Sequence, residues 1–450
     1  MLIRGLVFLL ILPCARAQDL RAILANRIDE AKKAVGIVVA TVDEKGRNVT
    51  GYGRLAANQP IAPDGDAVFE IGSITKVFTS LLLADMVERG EVTLDTPVAK
   101  LLPADVKMPQ RNGKQITLLD LSMQVSGLPR MPNNFRPADP ANPFADYDAP
   151  KLYAFLSAHT LSRDIGEKYE YSNLGVGLLG HALARKAGMS YENLLKARIL
   201  DPLGMKSTSI TFSEDQKKRL AQGHDAKLNP VKNWDLDSLA GAGAIRSTAN
   251  DMLTFLSAHM ELQETPLRQA MRRMRSMRKE TGSADMAIAM GWHILTKFGT
   301  DLVWHNGGTA GYRTFAGFVQ ASKKGVVVLC NTSYDIDDIG RHVLESRYPA
   351  PNVSAAKERI AIAVAPQTLE MYAGEYRLAP QFSITVTLEE NRLYLQATAQ
   401  PRFEMFAEKE SEFFLKVVDA QITFVRGETG KATHLVLHQN GANQKAERVK

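Results

Sequence analysis

The sequence predicts an α+β fold: an antiparallel sheet flanked by helices, a separate helical lobe, and then a small all-β domain. Three observations lead to this prediction. Strand-like β-branched runs lie near both ends of the first 348 residues, and mostly helical patterns lie between them. The tail contains short alternating runs separated by turn residues, which is typical of an antiparallel barrel or sandwich. We expect strands from both ends of the first part to pair in one sheet.

The chain has 450 residues, with a hydrophobic content of 45% and a charged content of 23%. These values are typical of a soluble globular protein with two or three domains. Changes in composition divide the chain into a signal peptide, a main domain, a linker and a small antiparallel β domain, at residues 1–17, 18–348, 349–366 and 367–450.

The N-terminal residues have the pattern of a secretory signal. Arg4 precedes the apolar run 6–12, and Pro13 and the small residues Ala15 and Ala17 follow it. This pattern predicts cleavage near Ala17 and a secreted or periplasmic mature protein. The run is too short to span a bilayer, and no later stretch is long and apolar enough, so we expect no stable membrane span.

Charge and cysteine content exclude several classes of protein. The net charge of +6 is mild, and the sequence contains no recognisable nucleic-acid-binding module. No His-Glu-x-x-His or Cys-x-x-Cys spacing indicates a metal site, and we expect no cofactor. Cys330 lies in the run 325–331, which is typical of a buried strand and favours a place for this cysteine in the core.

One basic segment, residues 268–279, carries Met271, Met274 and Met277 at helical spacing. The pattern favours an amphipathic helix with its methionines facing inward and its arginines in water. Binding of an acidic surface by these arginines is the alternative.

In the first half of the chain, each element has its own signal. A β-branched run, an Asp43–Gly46 turn and a returning run predict a hairpin over 35–42 and 48–53. Apolar helical spacing, with Gly90 as a stop signal, predicts a helix from about Ser73. The same reasoning predicts further helices at 19–33, 116–121, 151–159 and 176–186. The Pro- and Asn-rich segment 126–149 is too long for a simple connector and is expected to line a site.

In the second half, the small residues of 240–245 predict close backbone packing, and Thr248 with Asp251 resembles a helix cap. Apolar runs predict strands at 288–294, 302–304, 313–320 and 324–331, with a helix at 337–347. Tight glycines at 305–311 are interpreted as a turn. Seven short alternating runs follow in the tail, at 372–376, 384–388, 392–396, 403–407, 412–417, 422–426 and 433–439.

The segment around Ser73 has the pattern of a nucleophile with its base. Ser73 and Lys76 lie three residues apart, on one face of a helix start. A serine hydroxyl needs a nearby base, and a lysine amine can serve if a dry pocket lowers its pKa. Alone, Ser-x-x-Lys is common on exposed helices, and the pattern gains weight from Tyr171-Ser-Asn173 and His305-Asn-Gly307 further along.

With these three motifs in order, residues 18–349 resemble the penicillin-recognising serine hydrolases. That family includes class C β-lactamases, D-Ala-D-Ala carboxypeptidases, D-aminopeptidases and β-lactamase-like esterases, and the Tyr-x-Asn form is similar to its class C branch. Residues 126–129, 202–205, 241–243 and 291–292 add to the likeness. The tail looks like the lipocalin-like appendage of some members.

The resemblance implies a role for each motif residue. Ser73 attacks an amide or ester carbonyl and forms an acyl-enzyme, with Lys76 beside it and Tyr171 as the main base. Asn173 holds Lys76 and binds the substrate amide. Substrate lies along a strand edge at His305, Gly307 and Gly308, and the backbone N–H groups of Ser73 and Gly308 form the oxyanion hole.

Histidine at position 305 departs from the lysine of many β-lactamases, whose cation meets the carboxylate of the substrate. Histidine is only partly charged near neutral pH, and Arg130 or Arg313 are alternative sources of charge. We therefore predict an exported serine hydrolase acting on β-lactams or D-Ala-D-Ala-type peptides. A short-chain acyl esterase and a slowly turning-over penicillin-binding sensor are the alternatives.

Overall fold

The computed structural model describes residues 14–351, 359–379, 382–398, 402–416, 420–439 and 442–449. The chain divides into two compact units, residues 1–355 and 356–450. Residues 1–13 of the predicted signal peptide and 352–358 of the predicted linker lie outside the described residues.

The first unit is built on a mixed set of strands, most of them in one antiparallel sheet. In chain order the strands are β1 Gly36–Asp43, β2 Gly46–Gly53, β3 Val68–Glu70, β4 Gln110–Arg111, β5 Lys114–Gln115, β6 Arg246–Thr248, β7 Arg278–Glu280, β8 Met286–Ala289, β9 His293–Leu295, β10 Leu302–Gly308, β11 Arg313–Val319 and β12 Lys324–Cys330. The main sheet has the order β2-β1-β12-β11-β10-β9-β8-β7, while β3 pairs with β6 and β4 with β5.

The register of the main sheet joins the two ends of this unit. Strand β1 pairs antiparallel with β12, with Val39 opposite Val328, and it also forms the predicted hairpin with β2. The expectation that both ends contribute to one sheet is therefore confirmed. Cys330 is buried in β12, as its strand pattern predicted.

Helices cover both faces of this sheet. They are α1 Cys14–Ala25, α2 Thr75–Glu88, α3 Leu118–Ser122, α4 Ala149–Ala158, α5 Asn173–Ala187, α6 Tyr191–Leu195, α7 Asp201–Leu203, α8 Glu214–Lys218, α9 Ala249–His259, α10 Arg268–Ser276 and α11 Asp337–Leu344. Three 3₁₀ turns, Gly72–Ile74, Val98–Leu101 and Ala240–Ala242, and two π turns, Asn26–Glu30 and Lys196–Leu200, complete the set.

The two faces of the sheet have separate cores. Residues of α1 and α11 pack with Ile37, Val39 and Val328 on one face. The larger core, on the other face, includes Val38 and Leu329 together with the buried side chains of α2, α5 and α9. Alternate residues of the central strands thus face opposite cores, as expected for a sheet covered on both sides.

The basic segment forms the amphipathic helix α10. Met271 and Met274 are buried, whereas Arg272 is exposed and pairs with Glu261. The packing interpretation of the methionines is confirmed.

Two parts of the second half differ from prediction. The run 288–294 is not one strand but the antiparallel pair β8 and β9, because the chain reverses at Gly291, where φ is +72°. Conversely, the glycines after His305 are not a turn; β10 continues through Gly308, paired with β11 down to Arg313. Glycine is compatible with both a chain reversal and a strand, and pairing with the neighbouring strands determines which of the two forms.

The second unit contains a short helix, α12 Pro366–Glu370, and a closed antiparallel barrel. Its strands are β13 Gly374–Ala379, β14 Phe382–Glu389, β15 Arg392–Ala397, β16 Arg402–Ala407, β17 Glu412–Leu415, β18 Ala420–Arg426, β19 Ala432–Gln439 and β20 Ala442–Arg448. Tyr376, Ile422 and Leu435 are among the side chains that fill its interior. The seven predicted runs are present, and the eighth strand, β20, closes the barrel against β13.

Candidate active site

The three predicted motifs lie at the ends of three different elements. Ser73 lies in the 3₁₀ turn that leads into α2, rather than in the α-helix itself. Tyr171 lies two residues before α5, and His305 lies within β10, whose last residue is Gly308. The contacts described below bring these ends together in one site.

Ser73 and Lys76 are in direct contact. The Lys76 Nζ group donates hydrogen bonds to Ser73 Oγ at 2.9 Å and to the carbonyl of Ala242 at 2.7 Å. The lysine side chain is fully buried, and this burial, aided by the positive charge of Arg130, lowers its pKa well below the ordinary value. A buried amine with two neutral acceptors and no carboxylate partner is favoured in its neutral, basic form.

Tyr171 lies beside the contact between Ser73 and Lys76. Its ring centre lies 4.8 Å from Lys76 Nζ. Burial raises the pKa of the Tyr171 phenol, while its hydrogen bond with Ser73 and the charge of Arg130 act in the opposite direction. The phenol therefore keeps its proton near neutral pH, next to an amine that readily gives its proton up.

Asn173 is the first residue of α5, and the cap of this helix is Ser172. The Ser172 hydroxyl accepts from the Gly175 amide at 2.8 Å and donates to the Pro129 carbonyl at 2.7 Å. The Asn173 side-chain amide donates to Met131 Sδ at 3.7 Å. Among the described residues, the hydrogen bonds that hold Lys76 come from Ser73 and Ala242 and not from Asn173.

Glycines allow β10 to lie against the nucleophile. Gly72 has a φ of +52°, and a Cβ atom there would lie 2.6 Å from the Gly308 amide nitrogen. A Cβ atom at Gly307 would lie 1.9 Å from the Ile71 carbonyl oxygen, which accepts a hydrogen bond from Thr314 at 2.9 Å. The backbone before Ser73 and the backbone of Gly308 are thus in close contact, as an oxyanion hole made from both would require.

His305 lies in a group of buried aromatic and imidazole rings. Its Nδ1 lies 2.6 Å from the Asn306 carbonyl, and its ring centre lies 4.9 Å from that of His293. His293 Nε2 lies 2.9 Å from the Tyr169 hydroxyl. Burial is the main cause that lowers the pKa of His305 well below its ordinary value and that of His293 to about 4. Burial therefore favours the neutral form of both rings near pH 7 and disfavours a positive charge on His305.

Sequence reasoning missed the group that fixes the strand leading to Ser73. Glu70 and Arg246 are both 3% exposed, with Arg246 Nη2 3.6 Å from Glu70 Oε1. Glu70 also accepts from the Trp234 amide at 2.9 Å, and Arg246 donates to Asp235 at 3.1 Å. The partners come from distant parts of the chain, so no local pattern marks them.

The sequence also did not predict the Ala242 carbonyl as a hydrogen-bond acceptor for Lys76. Its signal in the sequence was the small-residue stretch 240–245, which packs so closely that a Cβ atom at Gly241 would lie 3.0 Å from Gly180 Cα. Backbone groups leave no residue-type signature, so only this close packing was predictable. Across the described residues, no group of three or more His, Cys, Asp or Glu side chains could hold a metal ion.

A serine in contact with a buried amine, beside a phenol and a glycine-lined strand edge, defines a serine hydrolase. Residues 21–345 match the family model described as Beta-lactamase, and the chain belongs to this family. Residues 358–448 match a second model, described as a domain of unknown function, DUF3471.

Curated relatives and solved structures agree with this assignment. The chain is 28% identical over 333 residues to the D-alanyl-D-alanine-carboxypeptidase/endopeptidase AmpH of Escherichia coli strain K12, covering 70% of this chain and 84% of that protein. It is 26% identical over 434 residues to penicillin-binding protein 4* of Bacillus subtilis strain 168, covering 89% and 91%. A class C β-lactamase structure from Rhodobacter sphaeroides superposes with a TM-score of 0.63 at 25% identity, covering 73% and 98%.

Proposed function

We propose that this chain is an exported hydrolase that forms an acyl-enzyme on Ser73 and cleaves β-lactam amides or D-Ala-D-Ala-type peptides. The observation that carries the proposal is the 2.9 Å contact between Ser73 Oγ and the buried amine of Lys76. The similarity to a D-alanyl-D-alanine-carboxypeptidase and to class C β-lactamases supports the substrate class.

Acylation begins with proton transfer from the serine. The Ser73 hydroxyl gives its proton to the neutral Lys76 amine as Oγ attacks the carbonyl carbon of the substrate. The amide hydrogens of Ser73 and Gly308 donate to the developing oxyanion, and losing one such donor typically costs ~10²- to 10³-fold in rate. The C–N bond then breaks, and the leaving nitrogen takes a proton from the Lys76–Tyr171 pair.

Deacylation uses the same groups on water. A water molecule attacks the acyl carbon, gives its proton to the pair, and Ser73 Oγ leaves with a proton returned from it. The resemblance assigned the main base to Tyr171. We propose Lys76 instead for the first step, because burial favours the neutral amine and the neutral phenol.

An acyl esterase is the second candidate, favoured by one observation. Neutral His305 offers no cation for the carboxylate that a β-lactam or a peptide carries, and a short neutral ester needs none. Export is supported by the signal pattern of residues 1–17, and we expect a secreted or periplasmic protein whose N-terminus follows Ala17. Among the described residues, every helix is too short or too polar to cross a bilayer.

Mass spectrometry after exposure to a penicillin tests the proposal. We expect a covalent adduct on the peptide that contains Ser73, decaying as the acyl group is hydrolysed, and no adduct on a Ser73→Ala variant. An adduct that persists would favour the penicillin-binding sensor. An adduct on another residue, or equal labelling of Ser73→Ala, would exclude Ser73 as the nucleophile.

Rates on three substrates then separate the activities. A chromogenic cephalosporin, a D-Ala-D-Ala peptide and a p-nitrophenyl ester are compared on the purified full chain, with Ser73→Ala as the control. Hydrolysis of the ester alone would replace the first candidate with the esterase. N-terminal sequencing of the exported protein tests cleavage near Ala17.

A further inference from the structure

Arg130 places a guanidinium beside the catalytic phenol. Its Cζ atom lies 4.9 Å from the centre of the Tyr171 ring, which also lies against Lys76. The Arg130 side chain is exposed, but its main chain is fixed, since its carbonyl accepts from the amides of Asn173 at 3.0 Å and Leu174 at 3.2 Å. The start of α5 therefore fixes the backbone of Arg130 next to the site, while the arginine itself remains exposed.

The guanidinium has no carboxylate partner among the described residues. Other arginines of the same lobe are paired, Arg111 with Asp164 and Arg163 with Glu170. The charge of Arg130 still reaches the site, because it adds to the lowering of the Lys76 pKa and opposes the rise that burial causes in the Tyr171 pKa. An unpaired guanidinium in this place retains all five N–H donors for a ligand.

Each of the other basic side chains near the site already has a hydrogen-bond partner in the protein, whereas the Arg130 guanidinium has none among the described residues. Lys76 is buried and held by Ser73 and Ala242, and the His305 ring is neutral. Arg313 Nη1 donates to the carbonyls of Thr309 at 3.1 Å and Tyr312 at 3.0 Å. A substrate carboxylate that enters beside Tyr171 therefore meets Arg130.

We propose that Arg130 determines substrate specificity by binding the carboxylate of an acidic substrate next to the Tyr171 ring. The planar guanidinium matches a carboxylate with two parallel hydrogen bonds. The inference rests on the proposed function, since it names the substrate class of the same acylating serine. The carboxylate can belong to the ring fused to a β-lactam or to the C-terminus of a peptide, and the experiment uses both.

The test compares substrates that differ only in this charge. One pair is a chromogenic cephalosporin and the methyl ester of its ring carboxylate. The second pair is a D-Ala-D-Ala peptide with a free C-terminus and its C-terminal amide. With Arg130→Gln we expect kcat/KM on the charged member to fall ~10- to 100-fold, mainly through KM, as for loss of a charge-assisted hydrogen bond. On the neutral member we expect only the smaller loss that follows when the charge of Arg130 no longer lowers the pKa of Lys76, and Arg130→Lys should restore that part.

Two variants sharpen the result. Arg130→Lys keeps the charge without the planar fork and should lie between wild type and Arg130→Gln. Arg136→Gln is the matched control: Arg136 is exposed on the same segment, but it donates to the carbonyls of Asn133 and Phe135, both at 2.9 Å. It should behave as wild type on all four substrates.

Each outcome decides something different. Equal losses on charged and neutral substrates, or no loss on either, would overturn the role of Arg130 while Ser73-dependent activity stands. A loss confined to one pair assigns the carboxylate to that source. A wild-type enzyme that cleaves none of the four, or cleaves them without needing Ser73, would reject the proposed function and the inference together. Equal thermal melting of Arg130→Gln and wild type shows that the variant is folded.

Discussion

In the first unit, Glu70 and Lys76 are both buried and only a few residues apart in the sequence, but their surroundings differ. Glu70 has an oppositely charged partner, whereas Lys76 has none among the described residues. Glu70 and Arg246 face one another, so each buried charge has an opposite charge beside it, and Arg246 opposes the rise that burial causes in the pKa of Glu70. Lys76 is equally buried but is held by a hydroxyl and a carbonyl. The comparison shows that a paired buried charge fixes structure, whereas an unpaired one is pushed toward its neutral form and can act as a base.

The largest expected effect concerns the buried, unpaired amine of Lys76. Lys76→Met should lower kcat/KM by ~10²- to 10⁴-fold, which is the usual contribution of a general base. Its unfolding free energy should change by less than ~2 kcal/mol, because relief from burying an amine offsets the lost hydrogen bond to Ala242. Steady-state kinetics and urea unfolding measure the two quantities. A large loss of stability with activity retained would show that Lys76 has a structural role and not a catalytic one.

For the paired charges of Glu70 and Arg246 we expect the reverse, a large effect on stability. Arg246→Leu leaves Glu70 buried without its partner and should cost ~3–5 kcal/mol of unfolding free energy. Tryptophan fluorescence during urea unfolding measures this loss, since all three tryptophans, Trp234, Trp292 and Trp304, belong to the first unit.

The controls for this prediction lie in the same unit. Arg272→Leu, which removes the exposed partner of Glu261 and leaves Arg275 beside that carboxylate, should cost no more than ~1 kcal/mol. The double variant Glu70→Leu with Arg246→Leu should recover much of the loss, because replacing a buried pair by apolar residues is often neutral. Equal costs for Arg246→Leu and Arg272→Leu would contradict the comparison.

Asp337 provides an intermediate case with a smaller effect. It is buried, accepts from Asn306 Nδ2 at 2.7 Å and lies 4.0 Å from Arg341. Burial, with Asp335 and Asp338 nearby, raises the pKa of its carboxyl to about 7. The folded state therefore keeps a proton that the unfolded chain releases near pH 4.

This difference gives a pH dependence with a definite sign. Stability from Asp337 is fully present below the unfolded pKa and is lost as the pH rises toward 7, by up to about 1.4 kcal/mol per pH unit. Asp337→Asn should remove this loss, which urea unfolding at pH 5 and pH 8 would detect. Parallel stability curves for the variant and wild type would show that the carboxyl is not protonated in the folded protein.

The parts of the site that the sequence predicted are those with short-range signals. Ser73 and Lys76 lie one helical turn apart, and the hairpin β1–β2 has its strands on either side of one turn. The motif at Tyr171 was also placed before a helix, and the structure puts its ring beside Lys76. In these cases residue type and spacing are enough to predict the local structure.

The rest depends on contacts that local patterns do not record. Whether the glycines at 307 and 308 continue a strand is decided by pairing with β11, and whether Gly291 reverses the chain is decided by β8 pairing with β9. The Ala242 carbonyl has no residue-type signal at all. The eighth barrel strand was missed because its alternation is interrupted by polar residues, and only its partners β13 and β19 define it.

The pairing of β1 with β12 also limits when this unit can fold. The Gly36 amide donates to the Asn331 side chain, a partner 295 residues further along the chain. A ribosome adding 5–20 residues per second needs roughly 15 to 60 s to make that span. Until β12 has been synthesised, β1 therefore lacks the strand with which it pairs, and we expect slow folding, as is usual for topologies with high contact order.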